Sequence, residues 1–252
     1  MSNFNIILTI MLGFFSSSAM AQPCESKLIL AEHETAWIGC ISKEAVTNFK
    51  ENANASAKTL LIQSEGGDVE AAIDLAKEII KRKISVVVRG YCYSSCANYI
   101  LPSGRQVYVE PGSRVLFHGD AKITLNRIGH SDWIEPLLLT RLTLTVRSED
   151  NLILIMPKGA IIQLAQRIAL SGKDVIVHGT LNGMRYECNG MDLPYWVPTV
   201  GMLRTLGIVD AENSETENYF KDLPARIKDF GIDLTPSPAN PLAHCKKTLL
   251  KN

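Results

Sequence analysis

Three short segments hold the residue types that acyl-transfer chemistry requires: Ser64-Glu65-Gly66-Gly67, Gly90-Tyr91-Cys92-Tyr93-Ser94-Ser95-Cys96 and Ser113-Arg114-Val115-Leu116-Phe117-His118. A serine hydroxyl is a weak nucleophile until a neighbouring imidazole takes its proton, so Ser94 and His118 are the candidate pair. The oxyanion formed on attack needs preorganised backbone N–H donors, and losing one lowers the rate by about 10²–10³. Gly66 can turn its amide outward because no side chain stands in the way. The amide of Ser95, just after the candidate nucleophile and at a helix start, is the second donor. Each segment alone has a plainer reading, since Gly-Gly is a common turn, Ser a common cap and a strand-end His a common structural residue. Their joint spacing is the argument for a site.

That spacing depends on the elements around it. Thr59-Leu60-Leu61-Ile62-Gln63 is a brief apolar run suited to a strand buried on both faces, and it stops at the glycine turn. Val69, Ala72, Ile73, Ala76, Ile79 and Ile80 then recur at helical spacing, with Asp68 placed to cap that helix. Ile84-Ser85-Val86-Val87-Val88 is β-branched and reads as the next strand, ended by Gly90. Strand, turn, helix and strand make a right-handed βαβ unit, which implies a parallel sheet. Two more strands are expected at Gln106–Val109 and Arg114–His118, and a short helix at Ala97–Leu101. In such a sheet the carboxyl ends of the strands share one edge, where ligands bind, and all three segments fall there. Before this unit, Lys27–Lys50 reads as two short strands, the second at Thr35–Ile41, and a helix start. After it, Trp133–Arg147 and Ile153–Ala169 read as a helical insertion or flap, with core helices of the same domain as the alternative.

Composition narrows the class. Of 252 residues, 46% are hydrophobic and 21% charged, which is globular composition and excludes a disordered or collagen-like chain. Lys plus Arg equal Asp plus Glu at 26 each, so the electrostatic case for nucleic acid is missing. Ile6–Phe15 is apolar, Ser16-Ser17-Ser18 polar, and Ala19-Met20-Ala21 an A-x-A site, a pattern expected of a secretory signal cleaved after Ala21. The run is far shorter than the ~20 residues that span a bilayer. A periplasmic or secreted location follows, and with it an oxidising compartment. All six cysteines (Cys24, Cys40, Cys92, Cys96, Cys188 and Cys245) lie beyond that signal, and an even count there predicts up to three disulfides among fifteen connectivities. No metal-ligand spacing is present, and no metal or other cofactor is expected. Trp37, Trp133 and Trp196 read as packing residues, and His33, His130, His178 and His244 as scattered surface residues.

From Leu60 to His118 the sequence resembles the Clp protease proteolytic subunit and its relatives in the Clp/crotonase fold. That family reads S-P-G-G, G-x-A-A-S-M-G-A and S-R-V-M-I-H at the corresponding places; Glu65 stands here where the family usually has Pro. Leu206-Gly207-Ile208-Val209-Asp210 resembles the G-L-V-D that closes the family core. The resemblance implies an α/β fold with a parallel sheet of ββα units and a helical insertion at about 121–185. It sets a Clp-like domain at 22–210, after the signal at 1–21, and an extension at 211–252. It further implies Ser94 as nucleophile, His118 as general base, the Gly66 and Ser95 amides as oxyanion hole, and ring-like self-association through the Trp133–Ala169 region.

The cysteines flanking Ser94 set the chain apart. This C-x-S-x-C arrangement resembles an exported subgroup, in which Cys92 and Cys96 could lock the corner as a disulfide or one thiol could itself be the nucleophile. For the third triad member Asp192 is the nearest acid to the family position, with Asp120 and Asp174 as competitors and Lys122 as a Ser-Lys alternative. The function expected is a periplasmic serine hydrolase, an ATP-independent peptidase acting on peptide or protein. An ATPase partner is not expected outside the cytoplasm. The competing readings are a non-catalytic binding or assembly module and a Cys-based or thioester-acting site.

Overall fold

The computed structural model describes residues 24–118, 121–122, 125, 135–159, 183–187, 195–210 and 246–250. It is an α/β structure built on a mixed, mostly parallel sheet. β1 (Ser26–Leu30) and β2 (Glu34–Gly39) form an antiparallel hairpin, whose open end is closed by the Cys24–Cys40 disulfide with Cα atoms 5.6 Å apart. α1 (Lys43–Asn52) follows, its first turn capped by the Ser42 hydroxyl accepting from Ala45 N–H at 3.2 Å. β3 (Thr59–Ser64) runs parallel to β2. Its Leu60 and Ile62 are fully buried on one face and Leu61 nearly so on the other, which is why this strand is a continuous apolar run.

α2 (Val69–Arg82) begins where its periodicity predicts, with the Asp68 carboxylate accepting from Ala71 N–H at 2.8 Å. Ile73, Leu75 and Ile79 are buried against the sheet, each contributing about 1.5–3 kcal/mol. β4 (Ser85–Tyr93) returns parallel to β3. Gly90 does not end it. Ile62 stands opposite Val88 but Ser64 opposite Cys92, so β4 carries two extra residues across this stretch. Gly90 turns the bulge at φ +74°, where a Cβ would meet Gln63 Oε1 at 2.6 Å. The bulge lets one strand take two successive neighbours: Val86–Val88 pairs with β5 (Val107–Val109), and Tyr91–Tyr93 with β6 (Arg114–Leu116). The sheet order is β1-β2-β3-β4-β5, with β6 beside the far half of β4.

After β4 the chain forms a π-helical turn, Cys96–Ile100, and a single α turn, α3 (Leu101–Ser103). α4 (Pro136–Ile155) packs on α2 and buries Leu152, yet leaves Leu137 72% and Leu154 83% exposed. A second sheet pairs β7 (Gly183–Glu187) antiparallel with β8 (Tyr195–Pro198) and β9 (Lys246–Leu250). Lys246 and Lys247 open β9. α5 (Val200–Thr205) leads to Asp210. Trp37 and Trp196 are fully buried, as expected of packing residues, while Trp133 lies outside the described residues. Among the described residues no helix is long and apolar enough to cross a membrane, and the two disulfides found there, Cys24–Cys40 and Cys92–Cys96, fit an extracellular or periplasmic location.

An ion pair between a buried lysine and a half-buried aspartate lies at the edge of the core. The Lys158 side chain is 8% exposed and donates to Asp210 Oδ2 at 2.8 Å, and the same oxygen accepts from Val107 N–H at 2.7 Å. Asp210→Ala is expected to lower unfolding free energy by about 2–3 kcal/mol, because Lys158 is left buried and unpaired. Chemical denaturation measures it, and a change under ~0.5 kcal/mol would show that water already solvates Lys158.

Candidate active site

Ser94 sits at the corner between β4 and the π-helical turn. Its backbone is left-handed, φ +55°, a conformation disfavoured by about 1–2 kcal/mol for a residue with a side chain. Two backbone hydrogen bonds hold it there: Ser94 N–H donates to Leu116 O at 3.1 Å, and Asn98 N–H donates to Ser94 O at 2.9 Å. The first ties the corner to β6, the strand that delivers His118. Phe117, just before His118, is fixed by a two-way bridge to Trp196 with N···O distances of 3.0 and 2.9 Å, and the two rings lie 5.8 Å apart. The outcome is that Ser94 Oγ and His118 Nε2 lie 2.6 Å apart, within hydrogen-bond reach.

The glycine turn meets this corner from β3. Gly66 (φ +95°) lies so close that a Cβ there would come 2.7 Å from Ser94 Cβ, 2.7 Å from Tyr93 O and 2.9 Å from Ser95 N. The turn is oriented by Ile41, whose N–H donates to Gly66 O at 2.7 Å and whose carbonyl accepts from Asp68 N–H at 2.9 Å. Ser95 Oγ donates to Gly67 O at 3.3 Å, joining the turn to the corner directly. Gly66 N–H donates to the buried Ser64 Oγ at 3.1 Å, so its use as an oxyanion donor requires that hydroxyl to yield. The sequence thus expects four site residues, Gly66, Ser94, Ser95 and His118, that the structure brings together.

The remaining candidates divide. Asp120, Asp174 and Asp192 lie outside the described residues, as do Cys188 and Cys245. Lys122 ion-pairs with Asp150 at 3.8 Å. Cys92 and Cys96 are joined as a disulfide with Cα atoms 5.3 Å apart, so neither presents a thiol beside His118 in this state. The Tyr91 and Tyr93 rings lie 5.1 Å apart, tilted by 31°. Burial raises the Tyr91 phenol above its usual value, the Glu65 carboxylate adds to this and a Gln63 hydrogen bond opposes it; the group is a neutral hydroxyl at ordinary pH.

Asn98 was not singled out by sequence. It is fully buried one turn after Ser94, and besides its backbone bond to Ser94 O its Nδ2 donates to His118 O at 3.1 Å. One residue therefore grips the backbone of both members of the pair. Its Oδ1 is buried with no hydrogen-bond partner among the described residues, a cost of about 1–3 kcal/mol that a core apolar residue would avoid. A polar residue inside Ala97-Asn98-Tyr99-Ile100-Leu101, four positions after a candidate nucleophile, is the signal that could have found it. Asn98→Leu is expected to slow reaction of Ser94 with a fluorophosphonate about tenfold without lowering the melting temperature. Unchanged labelling would reduce Asn98 to a packing residue.

No protein-family model matches the chain, and no curated protein matches it either.

Proposed function

We propose that this protein is an extracytoplasmic serine hydrolase of the Clp/crotonase-like fold that cleaves peptides without an ATPase. The observation that carries the reading is the 2.6 Å approach of Ser94 Oγ to His118 Nε2, with Ser94 held in a left-handed corner. In the reaction, His118 Nε2 takes the Oγ proton as Oγ bonds to the substrate carbonyl carbon. The carbonyl oxygen gains the negative charge, which the Ser95 and Gly66 N–H groups would face. Collapse breaks the bond to the leaving amine, and that amine departs with the proton from His118. Water then attacks the acyl-serine by the same route, His118 taking its proton and returning it to Oγ.

A fluorophosphonate tests this. Ser94 Oγ would displace fluoride and form a phosphonyl ester in the wild type, with no labelling of Ser94→Ala and strongly slowed labelling of His118→Ala. Equal labelling of wild type and Ser94→Ala, or none, supports the second reading, a binding or assembly module. That reading is favoured by the Gly66 amide being already bonded to Ser64 Oγ. Self-association is part of the proposal, and the exposed leucines of α4 support it. A single monomer mass at micromolar concentration by light scattering would reject it.

A further inference from the structure

The Cys92–Cys96 bond encloses Ser94 in a five-residue covalent loop. Cys92 lies within β4, in register with Ser64 on β3 and Val115 on β6, so it is anchored to the sheet from both sides. Cys96 opens the π-helical turn, where its carbonyl accepts from Leu101 N–H. The disulfide therefore crosses the corner from sheet to helix, with Cα atoms 5.3 Å apart over a separation of four residues. Among the described residues only Lys83 and Ser94 combine a side chain with positive φ. Lys83 ends a helix, where that conformation is common; Ser94 has no such local reason. No glycine occurs between Tyr91 and Cys96 to relax the corner.

We propose that the Ser94 site is assembled only once the Cys92–Cys96 disulfide has formed, so that the protein's activity is confined to oxidising compartments by its own covalent chemistry. This rests on the serine-hydrolase reading and adds its regulation. The two thiols lose two protons and two electrons to a disulfide oxidant, protein or small molecule, whose two sulfurs leave as thiols. Both cysteines are fully buried, so the bond is made during folding, before the core closes over it, and is not toggled afterwards. A chain folded in a reducing compartment would carry Ser94 and His118 without their alignment. The Cys24–Cys40 bond, which closes the β1–β2 hairpin and does not enclose Ser94, has no such role.

The test uses the full-length chain carrying Cys24→Ala, Cys40→Ala, Cys188→Ala and Cys245→Ala, denatured and refolded with either a dithiol or a disulfide buffer, and a Cys92→Ala/Cys96→Ala double variant of the wild type. Fluorophosphonate labelling of Ser94, far-UV circular dichroism and the NMR signals of the His118 ring, assigned with His118→Asn, are the readouts. Labelling is expected to fall about 100-fold in the reduced and double-variant proteins, as for a reacting group displaced by about 1 Å, with circular dichroism unchanged. Oxidation of the reduced protein during a second refolding restores it. Equal labelling in both redox states overturns the proposal, and so does loss of secondary structure along with labelling in both reduced and double-variant proteins, which would make the bond a general stabiliser. Absent labelling in the oxidised protein counts instead against the hydrolase reading. The His118 ring signals then decide, because a ring environment insensitive to the disulfide overturns the inference without any turnover being required.

Discussion

Ser94→Gly and Ser94→Ala are both expected to abolish fluorophosphonate labelling, by at least ~10³-fold, while differing in stability in the unusual order. Both lose the hydroxyl that reaches His118 at 2.6 Å, so that loss cancels between them. What remains is backbone. At an ordinary position glycine is the less stable of the two, by up to about 1 kcal/mol, because it gives up more freedom on folding. At φ +55° the preference inverts, since the alanine Cβ crowds its own backbone and glycine has none. Ser94→Gly should therefore unfold at higher denaturant than Ser94→Ala, by about 1 kcal/mol. Alanine proving the more stable would mean that the corner is not left-handed in solution. Retained labelling in either variant would move the nucleophile elsewhere.

The second large effect belongs to Gly66. A Cβ there would press on Ser94 Cβ, Tyr93 O and Ser95 N at 2.7, 2.7 and 2.9 Å, and two of these are backbone atoms that cannot rotate aside. Gly66→Ala is expected to push the turn and the corner apart, slowing labelling about 100-fold and lowering stability by about 1–3 kcal/mol. Gly112→Ala is the control. It shares the left-handed backbone, φ +85°, but has nothing within 4 Å of its notional Cβ. It should lose about 1 kcal/mol from the backbone alone and label at the wild-type rate. If the two variants behave alike, backbone conformation rather than close approach is what Gly66 supplies.

Much of the fold was legible because it is written in local patterns. The apolar run of β3, the 3.6-residue period of α2 and its Asp68 cap each depend on neighbours a few positions away, and all three elements form where those patterns lie. The β4 bulge was not legible, because whether a strand continues past Gly90 depends on β5 and β6 offering it two different partners in turn. Pairing of β9 with β7 was equally hidden, since strand partners distant in sequence leave no mark on each other's periodicity. Two charged residues were missed for a related reason. Lys and Glu are residue types that mostly lie at the surface; only the tertiary structure shows Lys158 buried on Asp210, and Glu149 buried where it accepts from the Tyr99 hydroxyl and the Ala121 N–H.

The candidate site divides along the same line. Residue types and their position at strand ends were enough to single out Gly66, Ser94, Ser95 and His118, because a parallel sheet sends all its carboxyl ends to one edge whatever the details. That the Ser94 hydroxyl reaches the Nε2 atom of His118, and how closely, was not in the string of letters. Around the 2.6 Å approach of Oγ to Nε2 the structure places a bulge, a left-handed serine, a disulfide across the corner and an asparagine gripping both backbones. How these features combine at one corner is settled by packing in three dimensions rather than by the preferences of any one stretch of chain.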